Sequence, residues 1–368
     1  MSSTARTTPS RRSLLAGAAL AAPLIGLGAA GAHAGTYGTY RDAAGLHILQ
    51  HWEHPEIRTV DFRFNAGNLV KTFPPSVRVV LPESYTSSPD RRYPVILLLH
   101  GGGGFFLDWS NGGGVIKQTA GTDVIVVMPD GGAGSFYSNA NFPLPGREAA
   151  WETFIMQGVL GFVHENFRTQ PDRMAIAGLS MGGWGALSLG QRYWGHFRSI
   201  SSYSGPADCI IDEAKPNLDA LAVAGIIWLG PAGDALKYPA TTNLPGATWG
   251  TTWPNPPLAA SYNPLSNIDK YKGKRLFLRT GTGAWPELTF AAKNLPDPFG
   301  DLKRRFDKLG ADIQETVVHT TQERFVAELK RAGIDHDFRV EKGATHEWGL
   351  WRDSFAEDLP GIMKALTA

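Results

Sequence analysis

The residues Gly178-Leu179-Ser180-Met181-Gly182 place a serine between two glycines. An apolar run, Met174–Leu179, precedes it, and a helix-like run, Met181–Tyr193, follows it. Gly-x-Ser-x-Gly between a strand and a helix makes a sharp turn that projects the hydroxyl, and glycine is needed where the backbones come close. Serine is a weak nucleophile at neutral pH and needs a base to take its proton. Attack on a carbonyl also needs N–H groups aimed at the oxyanion that forms. Met181 can supply one from the start of its helix. The second is expected from "HGGGGFF", His100–Phe106, where glycines let the backbone approach a substrate oxygen. Gly102 is the first candidate there and Gly103 the next.

At such an elbow the partners follow in the order serine, acid, histidine. "EKGATHEWGLWRDSF" places His346 between the last strand-like run and the last helix, where that order requires the base. His100 closes an early strand and is read as orienting its loop. His319 and His336 lie in charged, helix-like surroundings. The base needs a carboxylate to hold its tautomer and stabilise the imidazolium. After "KRLFLRTG" the chain reads "TGAWPELTF", which offers Glu287, with Asp297 and Asp301 as rivals.

The elements that must position these groups are legible as short apolar runs bounded by turn residues. They lie at 59–64, 76–82, 93–100, 123–129, 174–180, 197–205, 274–281 and 337–343. Most are apolar on both faces, as in a sheet covered on both sides. Helix-like segments lie at 151–167, 181–193, 320–332 and 350–366. The alternation predicts an α/β fold with a mostly parallel central sheet and helices on both faces. Residues 230–262 are crowded with Pro, Gly, Thr and Trp and have no period. They read as a long excursion, ordered by Trp249 and Trp253 and setting the acyl preference.

Residues 1–34 read as an export signal. They hold paired arginines, Arg11 and Arg12, a short apolar stretch and the small-residue ending Ala32-His33-Ala34. The arginine pair suggests the twin-arginine route, which carries folded proteins. The stretch is too rich in Ala and Gly to serve as a span, which needs ~20 strongly apolar residues. The expectation is one secreted domain, 35–368, without stable membrane insertion. The chain has 368 residues, 43% of them hydrophobic, and a net charge of +1. The leader would remove Arg6, Arg11 and Arg12 and no acidic residue, so the remainder stays near neutral. That balance argues against a nucleic-acid binder. Cys209 is the single cysteine, so no intrachain disulfide can form.

Two patterns resemble ligand sites and are set aside. "HILQHWEH" spaces His47, His51 and His54 as on one face of a helix, but no cysteine or carboxylate cluster supports a metal. The glycines of "HGGGG" lack the following Gly-Lys-Ser/Thr of a phosphate loop. No cofactor or metal is expected.

"AGLSMGGWGAL", "IVVMPDGGAGSFYSNANF", "WETF", "TGTGAWPEL" and "GATHEWGLW" together resemble one branch of the α/β-hydrolases. That branch includes S-formylglutathione-hydrolase-type esterases and the secreted trehalose mycolyltransferases. The likeness to the mycolyltransferases runs from about Arg78 to Leu366. It implies a Ser180–His346–Glu287 triad acting on ester or acyl-lipid substrates, with water or a sugar or other alcohol as acceptor. Two departures matter. His100 and Gly103 stand where the mycolyltransferases carry a sugar-binding aspartate and an arginine. About twenty extra charged residues, roughly 297–318, separate the expected acid from the histidine.

Overall fold

Among the described residues the eight apolar runs and one further strand pair into a nine-stranded sheet. The structure is a computed structural model and describes residues 33–212, 214, 217–233, 243–252, 255–283 and 298–368. A short hairpin, β1 (His33–Gly35) and β2 (Gly38–Tyr40), precedes the sheet. The sheet strands are β3 (His47–His54), β4 (Thr59–Asn65), β5 (Ser76–Val80), β6 (Tyr93–Leu99), β7 (Ile125–Pro129), β8 (Thr169–Leu179), β9 (Phe197–Tyr203), β10 (Arg275–Gly281) and β11 (Asp337–Glu341). Their spatial order is β11-β10-β9-β8-β6-β7-β5-β4-β3. From β7 to β11 every pairing is parallel, and β5, β4 and β3 extend the sheet antiparallel.

The helices are α1 (Asp108–Asn111), α2 (Val115–Gln118), α3 (Trp151–Thr153), α4 (Leu160–Asn166), α5 (Met181–Arg192), α6 (Leu218–Gly233), α7 (Ala259–Tyr262), α8 (Pro298–Arg331) and α9 (Trp348–Thr367). Strand β6 shows why the runs are apolar on both faces. Val95, Leu97 and Leu99 join a core with Phe162 of α4, Leu187 of α5 and Phe325 of α8. Ile96 and Leu98 join a second core with Trp109 of α1 and Trp351, Phe355 and Ile362 of α9. Alternate side chains of a strand point to opposite faces, and burying each such residue contributes ~1.5–3 kcal/mol.

Several elements differ from the sequence expectation. The segment 151–167 is α3 and α4 joined by a π-helical turn, Phe154–Val159. Helix α8 begins at Pro298 instead of Thr320, so the charged insertion is its first half. Helix α6 was not anticipated: "LDALAVAGIIWLGPAG" is apolar after Asp219 and interrupted by Gly and Pro, which hides a helical period. The segment containing His47, His51 and His54 is a strand, so it does not gather three imidazoles on a helical face. His47 meets Asp42, His51 packs on Tyr40 and Phe62, and His54 meets Asp61. Within the 230–262 excursion, Trp249 packs on Trp184 and Tyr262, while Trp253 lies outside the described residues.

The register brings the ends of the parallel strands level. Leu99 of β6 pairs with Gly178 of β8, Leu179 with Tyr203 of β9, Tyr203 with Arg279 of β10, and Gly281 with Glu341 of β11. The loops that follow these strands therefore meet along one edge, where ligands bind in open α/β sheets.

Candidate active site

Ser180 sits between β8 and α5 with φ 52° and ψ −122°. A non-glycine residue held at positive φ is a strained turn that surrounding structure must hold. Its N–H donates to the Tyr203 carbonyl at 2.8 Å, and its carbonyl accepts from the Trp184 N–H at 3.1 Å. The flanking glycines are required by contact. A Cβ on Gly178 would lie 2.3 Å from the Gly182 carbonyl oxygen, and one on Gly182 would lie 2.5 Å from that of Leu99.

The Ser180 Oγ lies 2.7 Å from His346 Nε2. The other ring nitrogen, Nδ1, lies 2.6 Å from Glu315 Oε2. Glu315 projects from α8, and its side chain is fully buried. Its Oε1 accepts from the Ser204 hydroxyl at 2.8 Å, the Thr280 hydroxyl at 2.7 Å and the Gly281 N–H at 2.5 Å. Three donors on one oxygen fix the carboxylate's rotation and leave the other oxygen for the imidazole. Trp351 of α9 closes the far side of the ring, its centroid 5.0 Å away at an edge-to-face 87°. This relay can take a proton from the serine hydroxyl and stabilise the imidazolium that results.

The carboxylate against His346 is thus Glu315, where spacing points to Glu287. Glu287, Asp297 and the Asp301 side chain lie outside the described residues. A signal for Glu315 was present in the sequence. On a helix it shares a face with Val318, Gln322 and Phe325, all buried, and not with the charged face. A carboxylate on the buried stripe of an amphipathic helix needs a partner.

The loop after β6 is held close to the elbow. His100 is buried; its Nδ1 lies 2.8 Å from the Gly101 carbonyl, and its Nε2 accepts from the Gly131 N–H at 2.9 Å. Tyr137 donates to the His100 carbonyl at 2.8 Å. Both ring nitrogens of His100 are thereby committed to backbone. Gly103 donates its N–H to the Ala133 carbonyl at 2.7 Å. Among the described residues, neither the Gly102 nor the Met181 N–H donates to a backbone carbonyl. Met181 opens α5, where an unspent N–H and the helix dipole both favour negative charge. Asp130, at the end of β7, accepts from Ser76 N–H at 2.7 Å and Phe106 N–H at 3.0 Å. Burial pushes its carboxyl up to about 6; those two donors pull the other way, and Asp108 adds to the rise.

A cleft of about 790 Å³ opens over Ser180. Gly102, Met181 and His346 lie on its floor, Ala222, Val223 and Ile226 of α6 form one side, and Ile313, Val317 and Val318 of α8 form another. Among the described residues no cluster of His, Cys, Asp and Glu suits a metal ion.

Residues 73–362 match the Esterase family. The chain belongs to the esterase family. It is 34% identical to Esterase Rv1288 of Mycobacterium tuberculosis over 88% of this chain and 63% of that protein. It therefore spans less than two thirds of that relative's length. It is 28% identical to the diacylglycerol acyltransferase/mycolyltransferase Ag85A of Mycobacterium leprae, over 67% of this chain and 66% of that one. An S-formylglutathione hydrolase from Agrobacterium tumefaciens superposes with a TM-score of 0.58 at 15% identity, over 87% of this chain and 99% of that one. The esterase fold here is that of the α/β-hydrolases. Among the described residues no helix is long and apolar enough to cross a membrane.

Proposed function

We propose that this esterase hydrolyses carboxylic esters through an acyl-enzyme on Ser180. The observation that carries the reading is the unbroken relay from Ser180 Oγ through His346 to Glu315. His346 Nε2 takes the hydroxyl proton as Oγ forms its bond to the ester carbonyl carbon. The Met181 and Gly102 N–H groups receive the oxyanion. The tetrahedral adduct collapses, the carbon–alkoxide bond breaks, and His346 returns the proton to the departing alcohol. Water then repeats the sequence, and the acid leaves. Removing one oxyanion donor from sites of this kind costs ~10²–10³ in turnover.

The apolar sides of the cleft favour an aliphatic acyl chain lying between α6 and α8. The likeness to Ag85A favours a second reading, in which a sugar or other alcohol replaces water on the same acyl-enzyme. The leader pattern supports export of the folded chain by the twin-arginine route, and a single buried cysteine fits folding without disulfides. Product analysis with p-nitrophenyl acyl esters, with and without trehalose or glycerol, separates the two acceptors. Alongside p-nitrophenol, free acid as the sole acyl product, at a rate unmoved by either acceptor, is expected. An acylated acceptor would give the second reading the lead.

A further inference from the structure

Helix α6, one side of the cleft, is pinned at both ends. Near its start, Arg324 of α8 reaches two carboxylates. One guanidinium nitrogen bonds Asp219 in the first turn of α6, and another bonds Asp208, after β9, at 3.0 Å. Asp208 is buried and also accepts from Asn263 Nδ2 at 3.0 Å and the Ile210 N–H at 3.2 Å, so the anchor is tied to the body of the fold. Near its other end, Gly230 packs backbone to backbone against Gly134. A Cβ on Gly230 would stand 2.2 Å from the Gly134 carbonyl oxygen.

The periodicity links the brace to the cleft. Asp219, Ala222, Val223 and Ile226 follow one another at helical spacing on a single face of α6. Ile313, Val317 and Arg324 do the same on α8, at intervals of four and seven. The ion pairs and the apolar sides of the cleft therefore belong to the same two facing surfaces. The brace holds those surfaces at a set distance, and it does so outside the reacting atoms: neither Arg324 nor Asp219 lines the cleft. The guanidinium bridges the two carboxylates, one nitrogen to each, and its planar fork fixes their relative geometry.

We infer that Arg324 is a positioning residue for acyl-chain specificity, setting through Asp219 the separation of α6 and α8 that a long acyl chain must fit. This rests on the acyl-enzyme reading above. A short acyl group occupies only the floor beside Ser180 and is indifferent to the sides. A long one loses its contacts if α6 drifts.

The test compares p-nitrophenyl acetate and p-nitrophenyl dodecanoate on the full chain. Arg324→Leu and, as the milder change, Asp219→Ala should keep kcat/KM for the acetate within about twofold of the unsubstituted protein. For the dodecanoate kcat/KM should fall about tenfold or more, mainly through KM. Equal losses on both esters from Asp219→Ala, or no loss on either, would overturn the inference. An unsubstituted protein inactive on both esters would instead sink the acyl-enzyme reading, so the two failures are distinguishable.

Discussion

At the residue scale the site depends on Glu315, the carboxylate that holds the His346 imidazole. Gly-x-Ser-x-Gly and the histidine loop are local patterns, and both name their residues directly. The acid is not local. Its identity depends on which carboxylate the chain brings back to His346 after a long insertion, and "TGAWPEL" supplies a nearer, more conspicuous glutamate. The structure puts Glu315 on the ring with three further donors on its second oxygen. Glu315→Gln should keep the shape but present an amide where the imidazole needs an anion. Turnover on p-nitrophenyl acetate should fall about 10⁴-fold, the loss seen when the acid of such a relay is neutralised. Glu287→Gln should leave it within about twofold. Steady-state kinetics on the two purified variants checks this, and the reverse pattern would return the role to Glu287.

At the element scale, the strands were the most legible part. Their apolar runs are bounded by turn residues, and each of the eight expected strands overlaps one of β4 to β11. Strand β3 was hidden by a histidine spacing that mimics a helix, and α6 by an apolar composition without a polar face. Asp130 illustrates how elements are tied at the site: from the end of β7 it holds Ser76 of β5 and Phe106 of the glycine loop. Its carboxyl is pushed from an ordinary 3.8 up to about 6 by burial. The folded protein therefore binds a proton there that the unfolded chain has already released. The stability this contributes is present below about pH 4 and declines as pH rises through about 6, by on the order of 3 kcal/mol at 1.4 kcal/mol per unit. Asp130→Asn cannot titrate. Urea unfolding of both proteins from pH 4 to pH 7.5 should show the wild-type stability falling relative to the variant, then levelling. A constant difference across that range would refute the assignment.

At the scale of the whole molecule, the site joins segments far apart in sequence. Ser180 comes from the elbow, Glu315 from α8 and His346 from the loop before α9, 166 residues after the serine. Level strand ends on a covered parallel sheet allow them to meet. The fold class was readable because alternating strands and helices leave few other ways to bury both faces. The meeting of α6 and α8 over the site was not readable, since it depends on helix positions that no local pattern encodes. The central claim is that these segments act as one nucleophilic unit. Intact-protein mass spectrometry after exposure to a fluorophosphonate measures it most directly. One adduct per chain is predicted, mapped to Ser180, absent in Ser180→Ala and formed much more slowly in His346→Ala. Labelling that persists in Ser180→Ala, or a wild-type chain that takes up no label, would contradict the claim.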